Sequence, residues 1–174
     1  GKESQKVAAE AIRMVLAYED AYLANQPEGN EKMLLAANLA GKAINYTKTT
    51  AGHAMAYKLT TLYGLAHGHA VALCVDALWP YMIGHTEDAM DVRGKAYLDD
   101  MFLRLAQVMG CASSMDAAVK YHEMLEQLHL SRPEVKSVEE LELLAGSVNP
   151  ERLGNNPVCL KKEVLRTLYA RIAK

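Results

Sequence analysis

Residues 46–73 read YTKTTAGHAMAYKLTTLYGLAHGHAVAL and hold three of the six histidines. His53 and His67 are fourteen residues apart, which on one straight helix would separate them by about 21 Å. They can share an ion only if the chain turns back between them. Gly64 and Gly68 are the predicted breaks, because glycine tolerates the positive φ that ends a helix.

Neutral imidazole is a ligand for divalent zinc, iron, nickel or copper, so two converging histidines make a chemically reasonable metal site. A working site needs three or four ligands, usually including a carboxylate, and no Asp or Glu occurs between Asn45 and Val75. Histidines that flank a glycine break are also often buried, hydrogen-bonded core residues. The residues alone therefore leave both interpretations open.

Two motifs in this stretch, AGHAMAYKLT and AHGHAVA, resemble the signature of the iron-containing alcohol dehydrogenases, often called group III. That family carries a histidine element followed by a His-Gly pair, and the spacing of His53 to His67 fits. Two flanking runs extend the resemblance over nearly the whole chain. AANLAGKA, from Ala36, resembles the family's helix before the metal site, and RLGNNP, from Arg152, resembles its turn before the last helix.

The resemblance implies an all-α fold, the irregular multi-helix bundle of dehydroquinate synthase-like C-terminal domains, with residues 1–174 as a single helical metal and substrate domain. In the family, an Asp and a His four residues apart hold the metal together with the histidines matched by His53 and His67. That first pair would precede Gly1, as would a glycine-rich dinucleotide-binding domain. The chain is therefore expected to be part of a longer enzyme, inactive alone and with little or no metal.

For the whole enzyme, the resemblance implies reversible hydride transfer between an alcohol and its aldehyde, with NAD or NADP as cofactor. Fe²⁺, or Zn²⁺ in its place, would lower the pKa of the alcohol oxygen and polarise the aldehyde carbonyl. The variant TTAGHAMAYKLT is most similar to the branch thought to reduce phosphonoacetaldehyde to hydroxyethylphosphonate. Homodimers are common among relatives, so a homodimer is expected for the complete protein.

Tyr57 departs from the family pattern, since many members have a further histidine here, facing substrate and nicotinamide. It follows His53 by four residues and so lies on the same helical face. We expect Tyr57 to act as a catalytic residue whose hydroxyl orients an aldehyde oxygen. The alternative is an ordinary packed aromatic side chain.

Lys58 and Arg152 are the predicted substrate-binding residues, because a guanidinium can hold a carboxylate or phosphonate by two parallel hydrogen bonds. The alternative is a solvated lysine and a structural arginine. His69 is expected to support a metal ligand through a hydrogen bond, with simple burial as its alternative. The remaining histidines lie in a connecting segment and on a polar helix, where solvated side chains are expected: His85, His122 and His129.

Composition excludes several other classes of protein. The net charge of −2, from 19 basic and 21 acidic residues, provides no broad positive field for nucleic acid. The longest apolar runs fall short of the roughly 20 residues that span a bilayer, and no secretory segment follows the N-terminus. Cys74, Cys111 and Cys159 are odd in number and unrelated in spacing, which argues against a disulfide scaffold and favours a reducing cytoplasm.

Helical periodicity covers most of the chain, and no segment predicts a strand. Helices are predicted over about 4–25, from a cap at Asn30 to 44, over 52–63, from 68 past Pro80, through 97–108, from Ser113 or Ser114 to 128, and over 138–148 and 161–173. Ser137 and Glu140 have the spacing of a capping box at the start of the helix over 138–148.

Two other functions stay open from the sequence. Without the upstream ligand pair and a dinucleotide domain, the chain would be a non-catalytic helical binding or structural module without metal. A self-contained zinc hydrolase would need a carboxylate or a third histidine beside the first two, and His69 is the only nearby candidate.

Overall fold

The computed structural model describes residues 1–174 as a bundle of α-helices without a strand, which confirms the predicted all-α fold. The helices are α1 (Lys2–Leu23), α2 (Pro27–Asn45), α3 (Ala51–Tyr63), α4 (His67–Gly84), α5 (Gly94–Val108), α6 (Ser114–Gln127), α7 (Val138–Gly146), α8 (Pro150–Leu153) and α9 (Lys162–Ile172). A single 3-10 turn, Thr86–Asp88, lies between α4 and α5.

α1 and α2 pack along each other and form the α1–α2 hairpin. The turn contains Asn25 at a φ of 53°, and α2 begins at Pro27, whose fixed φ suits the first position of a helix. The prediction of a cap at Asn30 was therefore wrong. The Asn30 amide instead donates to the Asn25 side-chain oxygen at 2.9 Å, which links the first turn of α2 to the connecting segment.

α3 and α4 form the α3–α4 hairpin, which carries the histidine motifs. α3 ends at Gly64 with a φ of 68°, as predicted, and the Gly64 N–H donates to the Thr60 carbonyl. Gly68 was predicted as a second break, and this was wrong, because it is the second residue of α4. The reversal is complete within residues 64–66, so His67 begins α4.

The main core lies between α3, α4, α7 and α9. Its largest fully buried side chains are Tyr169, Met55, Leu59, Leu78 and Leu144. The Tyr169 hydroxyl donates to the Met55 carbonyl at 2.9 Å, so the one large polar group in this set has a partner. This packing fixes α3 and therefore fixes the direction of the side chains on its outer face.

A second, smaller core joins α4 to α5 and α6 around Trp79, Leu98 and Phe102. Pro80 lies inside α4, which continues to Gly84, so the proline removes one helical hydrogen bond without ending the helix.

The helices α6 and α7 begin at side-chain caps. Ser113 and Asp116 form a complete capping box at α6. At α7 the Ser137 hydroxyl accepts from the Glu140 N–H at 3.2 Å, as predicted, but the Glu140 carboxylate accepts from the Lys136 N–H at 2.9 Å. The reciprocal half of the predicted capping box at α7 was therefore displaced by one residue.

The short helix α8 was not predicted from the sequence. Its first residue is a proline, and the Asn149 side chain caps it by accepting from the Arg152 N–H at 3.2 Å. α8 packs against α3, and this contact brings the RLGNNP run to the histidine-bearing hairpin.

Candidate metal and substrate site

His53 and His67 meet on the outer side of the α3–α4 hairpin. His53 lies in the first turn of α3, His67 is the first residue of α4, and their ring centroids are 5.7 Å apart with the planes tilted by 58°. Because a metal–nitrogen bond is about 2 Å long, two imidazoles at this distance can reach one ion. The reversal at Gly64 therefore brings together the two residues that the sequence singled out.

The donor set formed by these residues is incomplete. No group of three or more His, Cys, Asp or Glu side chains in the structure is placed to hold a metal ion. Two imidazoles fit a divalent metal, but at least one further ligand has to come from outside residues 1–174 or from solvent. A self-contained zinc hydrolase finds no third protein ligand here.

The environment of His53 favours its neutral form. Burial, the neighbouring His67 and the positive charge of Arg152 all lower the pKa of His53 below its ordinary value. Metals bind the neutral imidazole, so protons compete less for this nitrogen near neutral pH than in an exposed histidine.

Tyr57 lies one helical turn after His53, and its ring lies next to the ring of His67. The ring centroids of Tyr57 and His67 are 5.3 Å apart, with the planes tilted by 34°. Tyr57 is 45% exposed, so one side of the phenol remains open to a ligand. This position agrees with the predicted sharing of a helical face with His53.

Arg152 reaches the same site from α8, although it is 95 residues from Tyr57 in sequence. Its Nη1 donates a short hydrogen bond to the Tyr57 hydroxyl oxygen, and its Cζ lies 4.6 Å from the Tyr57 ring centroid. The Asn155 amide donates to the Thr49 carbonyl at 3.5 Å, which ties the segment after α8 to the residues before α3. The site is thus a row of four side chains: His53, His67, Tyr57 and Arg152.

Lys58 and His69 lie outside this row. Lys58 is half-buried and follows Tyr57 directly, so it projects about a quarter turn away from the shared face of α3. The Nε2 of His69 donates to the Ser131 carbonyl at 2.8 Å and so contacts the segment between α6 and α7. The structure gives His69 a role in holding that segment, and no hydrogen bond joins it to His53 or His67.

Thr60 is a residue on the same helical face that the sequence analysis did not consider. It follows Tyr57 by three residues on the same side of α3, and its hydroxyl is buried without a hydrogen-bond partner. The spacing of positions 53, 57 and 60 on one helical face was the available signal.

Two of the histidines that were expected to be solvated have protein partners. His122 is exposed, as expected, whereas His85 is only partly exposed, so the prediction was wrong for His85. His122 Nδ1 lies 3.0 Å and 3.1 Å from the two carboxylate oxygens of Asp76, which joins α6 to α4. His85 donates from Nδ1 to the Tyr81 carbonyl at 2.8 Å and stacks on the Tyr81 ring. His129 is exposed, as expected.

A large groove lies outside the row of four side chains. A groove of about 910 Å³ runs between α1, α5 and the segment 154–157, and none of the four side chains of the row lines it. Functional sites are identified by convergent polar and titratable groups as well as by volume, and on that ground the row of side chains from α3, α4 and α8 is the better candidate. None of the helices has the length and apolar character needed to cross a bilayer.

Known proteins match this chain over nearly its whole length. The model of the Fe-containing alcohol dehydrogenase family, C-terminal, matches residues 4–173. The phosphonoacetaldehyde reductase of Streptomyces viridochromogenes is 30% identical over 173 residues, which are 97% of this chain and 41% of the relative. The chain therefore spans less than half the length of this curated relative.

Solved structures agree with the fold. The sulfoacetaldehyde reductase of Bifidobacterium kashiwanohense, in complex with NAD⁺, is 26% identical with a TM-score of 0.82, and the match covers 99% of this chain and 44% of that one. An iron-containing alcohol dehydrogenase of Thermotoga maritima is 26% identical with a TM-score of 0.76, covering 97% and 42% of the two chains. Both likenesses support the all-α bundle.

Proposed function

The chain belongs to the Fe-containing alcohol dehydrogenase family, and from that premise we propose that it forms the metal- and substrate-binding domain of an NAD(P)-dependent enzyme. The complete enzyme interconverts an alcohol and its aldehyde by hydride transfer. The observation that carries the proposal is the convergence of His53 and His67, with ring centroids 5.7 Å apart, in a chain that the family matches nearly end to end.

The greater length of the relatives supports a separate domain for the cofactor. Residues 1–174 form one helical domain, and the nicotinamide dinucleotide binds to a separate domain of the longer protein. Support comes from the relatives, of which this chain spans 41% to 44%, and from the NAD⁺ bound by the sulfoacetaldehyde reductase.

His53 and His67 hold the metal, Fe²⁺ or Zn²⁺, together with ligands from outside these residues. When bound, such an ion supplies Lewis-acid chemistry that polarises an aldehyde carbonyl and stabilises an alkoxide. The contribution of the chain is to present two imidazoles near one point and to keep His53 neutral through burial and the charge of Arg152.

The substrate is a short aldehyde with an anionic group, and phosphonoacetaldehyde is the candidate that the site supports best. Two similar proteins are named for an acetaldehyde that carries a phosphonate or a sulfonate. Arg152 has five N–H donors, of which Tyr57 accepts one, so four remain for an oxyanion. Lys58, adjacent to Tyr57 in sequence, adds positive charge near this end of the site.

The Tyr57 hydroxyl oxygen accepts from Arg152 and keeps its own proton. That proton is available to hydrogen-bond the aldehyde oxygen, so Tyr57 orients the carbonyl where many relatives have a histidine. His69 plays a supporting part by fixing the first turn of α4 through Ser131.

The complete enzyme is a cytoplasmic homodimer in this proposal. All three cysteines are free, which fits a reducing compartment.

The test uses the longer protein that contains this domain, loaded with iron and assayed with NADH and NADPH. The aldehydes are phosphonoacetaldehyde, sulfoacetaldehyde and the neutral propanal. Arg152→Ala should raise the KM for the anionic aldehydes at least about ten-fold, because a charged hydrogen-bonded contact is lost, and leave the KM for propanal nearly unchanged.

Arg104→Ala is the matched control, because this arginine is exposed and pairs with Asp100 on α5. An equal effect of Arg152→Ala on anionic and neutral aldehydes removes the anion-binding role of Arg152. If the metal-loaded wild type reduces no aldehyde, the enzyme proposal fails and the non-catalytic helical module is favoured instead.

A further inference from the structure

We propose that Tyr57 is the residue that determines substrate length and charge in this site. Its ring spaces the histidine pair from the Arg152 guanidinium, and its hydroxyl holds that guanidinium in position. The inference rests on the proposed function and deepens it, because it assigns selectivity for two-carbon aldehydes that end in a tetrahedral oxyanion to a single side chain.

The Tyr57 ring contacts both ends of the site. Its centroid lies 5.3 Å from the His67 ring and 4.6 Å from the Arg152 Cζ. The guanidinium therefore cannot be farther from the imidazole than these two distances combined. The histidine end and the cationic end therefore both adjoin the same aromatic ring, within that limit.

This separation limits the substrate. An aldehyde whose oxygen lies at the histidine end can place its acidic group on Arg152 in an extended conformation only if few bonds join the two groups. Phosphonoacetaldehyde and sulfoacetaldehyde have one methylene between them. An additional methylene has to be accommodated by bending the chain, and one methylene in a shaped pocket changes kcat/KM by about ten-fold or more.

The guanidinium is free to bind an anion. Four other arginines pair with carboxylates: Arg93, Arg104, Arg132 and Arg166. Arg152 takes part in none of the ion pairs of the structure, and its side-chain hydrogen bond goes to a neutral phenol. Its charge is therefore not neutralised by a neighbouring carboxylate.

Tyr57 also limits how the guanidinium can turn. One N–H of Arg152 is bonded to the Tyr57 oxygen while the Cζ lies near the ring, and the guanidinium is planar with fixed donor directions. Because both contacts come from one side chain, the remaining donors are presented in a defined direction. Such preorganisation lowers the entropy that a long, flexible side chain loses on binding.

Two substitutions separate the two roles of Tyr57. Tyr57→Phe keeps the ring and removes the hydroxyl, whereas Tyr57→Leu removes both. Tyr46→Phe is the matched control, because Tyr46 is an exposed tyrosine in the segment before α3 and lies outside the row of side chains. Since Tyr57 is itself half-exposed, all three variants are expected to fold, which thermal melting checks.

The first experiment uses the 174-residue chain and needs no activity. Ethylphosphonate and ethanesulfonate are titrated while the Nε–H signal of Arg152 is followed by nuclear magnetic resonance. Wild type and Tyr46→Phe should bind both probes with a shift of this signal, and Tyr57→Phe should bind about five-fold more weakly, the effect of one lost hydrogen bond. Absence of a shift in the wild type, or equal affinity in Tyr57→Phe, contradicts the proposal.

The second experiment uses the longer, metal-loaded enzyme. The ratio of kcat/KM for phosphonoacetaldehyde to that for 3-phosphonopropanal should be at least about ten in the wild type and in Tyr57→Phe. In Tyr57→Leu it should fall to about one, because the spacer is gone. An active wild type whose ratio survives in Tyr57→Leu overturns this inference alone, whereas a wild type that reduces no aldehyde overturns the proposed function.

Discussion

The α1–α2 and α3–α4 hairpins are both pairs of helices joined by three residues, one of which has a positive φ, Asn25 in the first and Gly64 in the second. Their packing differs greatly. α3 is covered by α4, α7, α8 and α9, whereas α1 contacts the rest of the bundle mainly through α5. Leu34 on α2 is 75% exposed, while Leu59 on α3 is fully buried.

Since the two hairpins have similar turns, the conformation of the turn does not decide which hairpin carries the candidate site. A row of side chains keeps a fixed geometry where the helix beneath it is buried against several other helices. α3 meets this condition because its inner face is buried on several helices. The outer face of α3 is then free to present His53 and Tyr57.

The largest effect is expected from removing core volume. Leu59→Ala should lower the free energy of unfolding by about 3 kcal/mol, because the cavity left in a fully packed core collapses only in part. Leu34→Ala, on the exposed face of α2, should change it by less than about 0.5 kcal/mol. Urea denaturation of both variants measures the difference, and equal losses would mean that the two hairpins are buried alike.

A smaller difference in stability is expected from substituting the glycines at which the two helices of each hairpin approach closely. A Cβ at Gly29 would lie 2.4 Å from backbone atoms of Ala21 and Tyr22, whereas a Cβ at Gly52 would meet the Val75 Cγ2 at 2.9 Å. Backbone cannot move aside as a methyl group can. Gly29→Ala should therefore destabilise by about 2 kcal/mol and more than Gly52→Ala.

Gly41 on α2 provides the control for this pair, since a Cβ there meets nothing within 4 Å. Gly41→Ala should stabilise the protein by about 0.5 kcal/mol or more through helix propensity. Thermal and urea unfolding of the three variants give the ranking, and a neutral Gly29→Ala would show that the first hairpin is less tightly closed than its geometry indicates.

The hydrogen bond between α9 and α3 should contribute less to the free energy of unfolding than the packing at Gly29. Tyr169→Phe removes the donor to the Met55 carbonyl inside the main core, and a loss of about 1 kcal/mol is expected. Tyr18→Phe on α1, whose hydroxyl makes no hydrogen bond within the protein, should cost less than half as much. Chemical denaturation of the two variants compares them, and the opposite order would argue against this contact as a fixed point for α3.

The sequence predicted most of the helices because apolar periodicity reports burial within one segment. It failed where one local rule competed with another. Asn30 suits a helix cap, but Pro27 suits the first helical position and begins α2 earlier. Gly68 suits a break, but Gly64 had already ended α3.

The sequence alone did not predict contacts between segments that are far apart along the chain. Arg152 and Tyr57 are 95 residues apart, and Asp76 and His122 are 46 apart. No periodicity links such positions, so the sequence offered Arg152 and Tyr57 as separate candidates and the fold supplies their contact. α8 escaped notice because a four-residue helix is too short to have a period.

A further small effect concerns the dependence of stability on pH. The pKa of His53 is lower in the folded chain than the ordinary value of about 6.5 expected when unfolded, so the unfolded chain binds more protons between these two values. Stability should therefore fall as the pH drops through 6.5 toward the lowered pKa of His53. The change should stay below about 1 kcal/mol, because His53 is partly exposed.

His53→Gln removes this titration. Its free energy of unfolding, measured with a chelator at pH 7.5 and 5.5, should vary less with pH than that of the wild type. An unchanged pH dependence would mean that the environment of His53 does not disfavour the charged form.

The proposed metal site requires that His53 and His67 face one ion. Titrating the 174-residue chain with Co²⁺ while following the imidazole signals by nuclear magnetic resonance tests it most directly, because a paramagnetic ion acts on the nuclei closest to it. The signals of His53 and His67 should broaden together at the same Co²⁺ concentration, ahead of those of His85, His122 and His129. If His53 and His67 respond at different concentrations, or no earlier than the other histidines, the two rings do not form a shared site.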